Sequence, residues 1–156
     1  MLHPALTPEV ADGAPAAADC VFCRVASGEA PADIVVDEAH AVAFLDVRPL
    51  FPGHCLLIPR EHHETLVDLP EDQVGPLFAT ARRLARAVEE ATDAHGSFVA
   101  LNNRVSQSVA HLHVHVVPRR RKDGLRGFFW PRQRYESPAQ SAAVAASIRA
   151  ALSLPG

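Results

Sequence analysis

The segment His111-Leu112-His113-Val114-His115-Val116-Val117 constrains this chain more than any other stretch. Side chains of a β-strand alternate between two faces. A strand here puts three imidazoles on one face and Leu112, Val114 and Val116 on the other. The apolar face belongs against a core. The imidazole face needs polar partners, because buried polar groups left unpaired are costly. An exposed strand face or an incidental metal patch is the bland account, and three histidines at strict period two argue against it. A neutral imidazole is a nucleophile near neutral pH, and its attack on phosphorus gives a nucleotidyl-histidine. Flanking imidazoles orient it and share charge as the phosphorus centre crowds. His113 has such a neighbour on each side and is the expected nucleophile.

The rest of the chain supplies a sheet and two helices. Asp33–Asp37 and Ala41–Leu45 are short β-branched or aromatic runs split by Glu38-Ala39-His40, a hairpin pattern. Cys55–Ile58 is a third strand between Pro52-Gly53 and Pro59, and Phe98–Leu101 a fourth, ahead of the histidine strand. From Pro70 to Thr92, Val74, Leu77, Phe78, Ala81, Leu84, Ala85 and Val88 recur at helical steps. Pro70, Glu71 and Asp72 suit the start of that helix. Ser137-Pro-Ala-Gln140 reads as a capping box opening a closing helix with Val144, Ile148 and Leu152 as its apolar positions. This order predicts an α+β layer architecture.

A length of 156 residues suits one domain, and a net charge of -3 speaks against general attraction to nucleic acid or anionic membrane. No apolar run approaches the ~20 residues of a membrane helix. The first residues lack a basic n-region and an apolar h-region, and three cysteines do not make a disulfide framework. A reduced, cytoplasmic protein is expected. Residues 1–19 read as a flexible tail, 20–118 as the folded domain that carries the histidine segment, and 119–156 as a basic, aromatic loop and helix packed on that domain. In that loop, Arg119-Arg120-Arg121-Lys122, Arg126, Arg132 and Arg134 surround Gly127-Phe128-Phe129-Trp130-Pro131. The default reading is a solvated charge run beside a packed aromatic turn. A functional one has the loop border an active site, its own or a partner's, and attract an anionic leaving group.

His111-x-His113-x-His115 resembles the signature of the histidine-triad (HIT) superfamily of nucleotide hydrolases and transferases, in its Hint-like branch with a C-terminal extension. The resemblance extends to Cys20-Val-Phe-Cys23, Ala43-Phe-Leu-Asp-Val-Arg-Pro49, Pro52-Gly53-His54, Ile58-Pro-Arg-Glu-His62 and Gln107-Ser108, all in the family's order. It covers about Cys20 to Pro118. It implies a HIT-like fold, a roughly five-stranded antiparallel sheet with a long helix and a C-terminal helix. It implies a hydrolase or transferase cleaving at the α-phosphorus of adenylate-type substrates: phosphoramidates, acyl adenylates or dinucleoside polyphosphates. His113 attacks, and His115 and His54 form a relay beside it, with His111 the first triad member. The resemblance assigns Asp46 to the ribose hydroxyls and Val21, Phe22, Val25, Phe44, Val47 and Leu56 to the apolar wall. It assigns Gln107 and Ser108, with Asn102 or its neighbour Asn103, to the phosphate side. The chain departs from the common pattern there: only Asn103-Arg104-Val105-Ser106, without glycine, links asparagine to glutamine.

The resemblance also implies a structural zinc on Cys20, Cys23, His62 and His111, with His63 as the neighbour that could replace His62. No catalytic metal is required, although Mg²⁺ would accompany a polyphosphate substrate. A homodimer is implied as well, as is a Trp-Pro segment near the site, which Trp130-Pro131 resembles. Two other readings stay open. One is a non-catalytic nucleotide-binding or scaffold module. The other is a zinc-water hydrolase with a metal at His113 and His115, for which the sequence offers no suitably spaced acid.

Overall fold

The histidine segment feeds the last strand of the chain, which lies fourth across a five-stranded antiparallel sheet, in the computed structural model, which describes residues 19–125 and 133–153. A hairpin of β1 (Ile34–Asp37) and β2 (Ala41–Leu45) forms one edge, with a register shift between Ile34 and Val36. β3 (Cys55–Pro59) pairs with β2, and β4 (Gly96–Ala100) forms the other edge. β5 (Val114–Arg119) lies between β3 and β4, giving the order β1-β2-β3-β5-β4.

The two faces of the sheet carry different helices. α1 (Val21–Ala26) covers one and α2 (Glu71–Thr92) the other. Leu77, Ala81, Leu84 and Val88 of α2 pack on Leu112, Val114, Val116 and Leu57, all buried, as the alternation and the helical period predict. Ala41 and Ala43 of β2 share this cluster. On the opposite face Phe22, Val25 and Ala26 of α1 meet Val42, Phe44, Leu56 and Ile58. α2 starts after Pro70, with Glu71 and Asp72 in its first turn, and closes at Asp93 in the left-handed region (φ 51°), which a short polar side chain tolerates.

Three local features differ from the sequence reading. α1 was not predicted: six residues are too few to show a helical period. β4 starts at Gly96 and ends at Ala100. β5 starts only at Val114, because its ladder with β3 ends at the Leu57–Val114 pair and Pro59 has no N–H with which to extend it. His111, Leu112 and His113 therefore precede the strand, and the Leu112 N–H donates to the carbonyl of His63 (2.6 Å).

The chain divides into two compact units, the first closing at Asp123 and the second opening at Gly124. The second holds α3 (Pro138–Leu152), whose Ser137 accepts the Gln140 N–H (3.1 Å) while Gln140 Oε1 accepts the Glu136 N–H (2.6 Å). Its Val144, Ile148 and Leu152 are exposed. The expected tail, apart from Asp19, lies outside the described residues, as do Arg126, Arg132 and the segment from Gly127 to Pro131. No helix among the described residues is long and apolar enough to cross a membrane.

Candidate active site

The turn before β3 brings His54 to the triad. Gly53 there has φ +98°, and a Cβ on it would lie 2.7 Å from the Thr92 side chain, so only glycine fits. The Leu50 N–H donates to His54 Nδ1 (3.1 Å). An acceptor Nδ1 places the proton of neutral His54 on Nε2, which donates to His115 Nδ1 (2.9 Å). His115, accepting on Nδ1, therefore carries its proton on Nε2. Asp46 Oδ2 lies 3.7 Å from His54 Nε2, while Asp46 Oδ1 accepts the Arg48 N–H (2.9 Å). Asp46 is thus both a turn former and a carboxylate with one oxygen outside the turn.

His113 is fixed from the other side. Its Nδ1–H donates to the carbonyl of His111 (2.7 Å), which leaves a bare lone pair on Nε2 of the neutral ring. Its ring centroid is 5.0 Å from that of His115 and 5.2 Å from that of Phe22, which meets it nearly edge-on (80°). Burial and the neighbouring imidazoles His113 and His54 hold His115 down from 6.5 to about 4, with Asp46 opposing. Burial also lowers His54, again against Asp46. The relay is therefore neutral near pH 7.

His113 and His115 line a cleft of about 450 Å³ together with Asp46 and Ser108. All six apolar residues assigned to the wall, Val21, Phe22, Val25, Phe44, Val47 and Leu56, line it too. Val47 is 92% exposed, which makes it a rim residue. A second cavity of the same volume backs the Gly53 turn at Phe51, Pro52 and Thr92, and no histidine lines it.

The phosphate-side loop is tied down by its own amides. Neither Gln107 nor Asn102 lines the cleft. Gln107 is a staple: its Nε2 donates to the Glu64 carbonyl (2.6 Å) and its Oε1 accepts the Arg104 N–H (2.7 Å). Asn102 donates to the Ser106 carbonyl (3.2 Å), and Asn103 accepts the Leu66 N–H (2.9 Å). The short loop without glycine puts Arg104 (φ 66°) and Ser106 (φ 60°) in the left-handed region, and these amide bonds oppose that strain. Of the assigned phosphate-side residues, Ser108 alone lines the cleft.

His111 is buried and its ring turns away from the cleft, toward the cysteines. Its Nε2–H donates to the Pro59 carbonyl (2.9 Å), which frees Nδ1. That nitrogen lies 3.5 Å from both Cys20 Sγ and Cys23 Sγ, and Cys23 Sγ lies 3.2 Å from His62 Nδ1. The four ligand atoms are all within 4.8 Å of one another. A tetrahedral zinc with sulfur at about 2.3 Å and nitrogen at about 2.0–2.1 Å needs S···N edges of about 3.6 Å, so this two-sulfur, two-nitrogen set fits it. His63 does not join; its Nε2 lies 3.6 Å from Glu61 Oε2. Cys55 is buried in β3, apart from the set.

A second cluster holds Asp46, His54 and His115 within the same spacing. It does not include His113, so it is not the His113–His115 metal site of the zinc-water reading. The Leu50 N–H disfavours a metal there, since it keeps the His54 proton on the Nε2 that would have to coordinate.

Known proteins share this arrangement of chain and fold. The adenosine 5′-monophosphoramidase of Saccharomyces cerevisiae is 34% identical over 123 residues, 77% of this chain and 76% of the relative. A solved HIT-family protein from Bacillus subtilis superposes with a TM-score of 0.78 at 29% identity, over 88% of this chain and 99% of that one. A Zn-bound histidine triad family protein from Mycobacterium smegmatis matches with a TM-score of 0.67 at 37% identity, over 87% and 99%. The family model described as HIT domain matches residues 27–122, which take in the sheet, α2 and every histidine of the relay, and the chain belongs to that family.

Proposed function

We propose that this chain is a nucleotide hydrolase or transferase that cleaves adenylate-type substrates at the α-phosphorus, with His113 as the nucleophile. One observation carries the reading. Two separate hydrogen-bond chains leave His113 Nε2 with a lone pair and His115 Nε2 with a proton, and both residues line one cleft. A nucleophile and a hydrogen-bond donor facing one substrate are what in-line displacement at phosphorus requires.

The nucleoside lies against Phe22, Phe44 and Leu56, with the ribose hydroxyls on Asp46 and the α-phosphate beside Ser108. The His113 lone pair forms the new N–P bond as the bond to the leaving group breaks. The departing atom takes the proton of His115 Nε2–H and leaves as the neutral amine or acid, while His54 Nε2–H holds His115 Nδ1. The water that later attacks phosphorus returns a proton to His115. The charge gained by His113 is shared through Nδ1–H with the His111 carbonyl. Water then hydrolyses the nucleotidyl-histidine, releasing AMP and restoring the lone pair. The yeast relative's name supports a phosphoramidate substrate; acyl adenylates and dinucleoside polyphosphates, the latter with Mg²⁺, use the same geometry. Cys20, Cys23, His62 and His111 hold a structural zinc in this reading, supported by the zinc-bound mycobacterial relative. A cytoplasmic homodimer is proposed from the resemblance.

The test is AMP release from adenosine phosphoramidate and from a diadenosine polyphosphate by wild type and His113→Gly, with mass spectrometry of the quenched enzyme. Turnover with an adenylylated histidine peptide in wild type, and a loss of several orders of magnitude in the variant, is expected. No AMP from either substrate, with AMP binding intact, replaces this reading with a nucleotide-binding module.

A further inference from the structure

Among the described residues, the hydrogen bond that orients His113 runs from Nδ1–H to the carbonyl of His111 at 2.7 Å. That carbonyl belongs to a residue outside the β3–β5 ladder, which ends at Val114. The residue carrying it is held by its side chain: Nε2 to the Pro59 carbonyl, Nδ1 to the two cysteines. We propose that His111 is the positioning residue for His113, and that occupancy of the Cys20–Cys23–His62–His111 site by a metal fixes the carbonyl that holds the nucleophile. The proposal rests on the nucleophile reading above.

The geometry carries this in two ways. The ring and the carbonyl of His111 share one Cα, so backbone rotation that follows the ring when the cluster loosens also moves the acceptor of the His113 proton. The Leu112 N–H, in the same planar peptide group as the His111 carbonyl, donates to the carbonyl of His63 (2.6 Å), the residue after the ligand His62. The peptide that carries the acceptor is therefore tied to the ligand set through His62 as well as through the His111 ring. The second link is Phe22. It sits between the cysteines on α1, meets the His113 ring at 5.2 Å and the Phe44 ring at 5.4 Å, and lines the cleft. A six-residue helix does not hold itself. α1 is held by its apolar contacts and by the cysteines at positions 20 and 23. The site therefore anchors the wall of the cleft and the nucleophile at once, so its loss acts on nucleotide affinity through α1 and on turnover through His111.

The experiment uses the full chain loaded with Zn²⁺, the chain stripped by chelator, His62→Asn, and His62→Cys, which keeps a zinc-competent ligand set. Readouts are bound zinc, ¹⁵N chemical shifts of the His113 ring, AMP affinity, and kcat and KM for adenosine phosphoramidate. The loaded protein is expected to show a single Nδ1–H tautomer. Stripping or His62→Asn should mix the tautomers, weaken AMP binding and lower kcat about 10–100-fold, the range for lost outer-sphere support. His62→Cys should restore zinc, tautomer and kcat together. A stripped or His62→Asn chain that stays folded with one tautomer and wild-type kcat overturns the proposal. So does unfolding of both, since the metal then holds the whole domain rather than His113. If loaded wild type releases no AMP, the nucleophile reading fails, while the tautomer result still decides the role of His111.

Discussion

The two faces of the histidine segment, one residue apart along the chain, are held by opposite kinds of interaction. Leu112, Val114 and Val116 are fully buried under α2 among Leu57, Leu77 and Leu84. Any aliphatic of the right volume serves there, because packing is non-directional. His113 and His115 face the other way. Each polar atom that fixes their tautomers has one partner at 2.7–2.9 Å, a main-chain carbonyl for His113 and the His54 ring for His115, and each bond depends on direction. The first face stores stability and the second stores tautomers. Substitutions on the two should therefore separate cleanly into losses of stability and losses of chemistry.

The largest expected effect is on the second face. His115→Ala removes the proposed donor to the leaving group, and kcat for adenosine phosphoramidate should fall about 10²–10⁴-fold. Its midpoint of thermal unfolding should stay near wild type, because cleft water can replace the bond to His54. A large loss of stability with near-normal turnover would collapse the distinction. Leu57→Ala is the mirror experiment. Leu57 is fully buried at the centre of the α2 face, and the cavity should cost about 2–5 kcal/mol in urea unfolding. Turnover per folded molecule should be unchanged.

The first face was legible in the sequence and the second only partly so, for the same reason. Periodicity records packing, so the burial of Leu112, Val114 and Val116 and the stripe on α2 could be read directly. It does not record partners that converge from distant parts of the chain. His54 looks like a turn residue, and only the family resemblance drew it to His115, 61 positions away. The resemblance also gathered Cys20, Cys23, His62 and His111 correctly as neighbours. It did not foresee that Gln107 would be spent on the Glu64 carbonyl, because the shortened loop has left-handed residues to tie down. α1 left no periodic trace, and the end of the ladder at Val114 depends on what Pro59 lacks as a donor.

Gly53→Ala crosses the boundary. The new methyl meets Thr92 at the end of α2, and φ +98° is strained for alanine. A cost of about 1–3 kcal/mol is expected. Unlike Leu57→Ala, this change should also lower kcat, because the same turn carries His54 to the relay. Paired urea and kinetic measurements check both, and a pure stability effect would detach the turn from the chemistry.

The smallest effect is a slope. His115 is held at about 4 in the folded chain against 6.5 for an ordinary histidine, and His54 is lowered as well. Between those values the unfolded chain binds protons that the folded relay refuses, so stability rises with pH across the interval. Acidification from pH 7 should therefore destabilise the fold as pH falls through 6.5 toward 4, by at most about 1.4 kcal/mol per pH unit for each group. The slope from His115 should be shallower than that limit, since the residue borders the cleft and is partly solvated. His115→Gln removes one titrating group and keeps a polar side chain, so urea midpoints at pH 7, 6 and 5 should fall less steeply in the variant. Leu57→Ala should shift all three midpoints equally. Parallel slopes in wild type and His115→Gln would mean that the relay takes up protons in the folded state near 6.5, and that the imidazole face is not kept neutral by its burial.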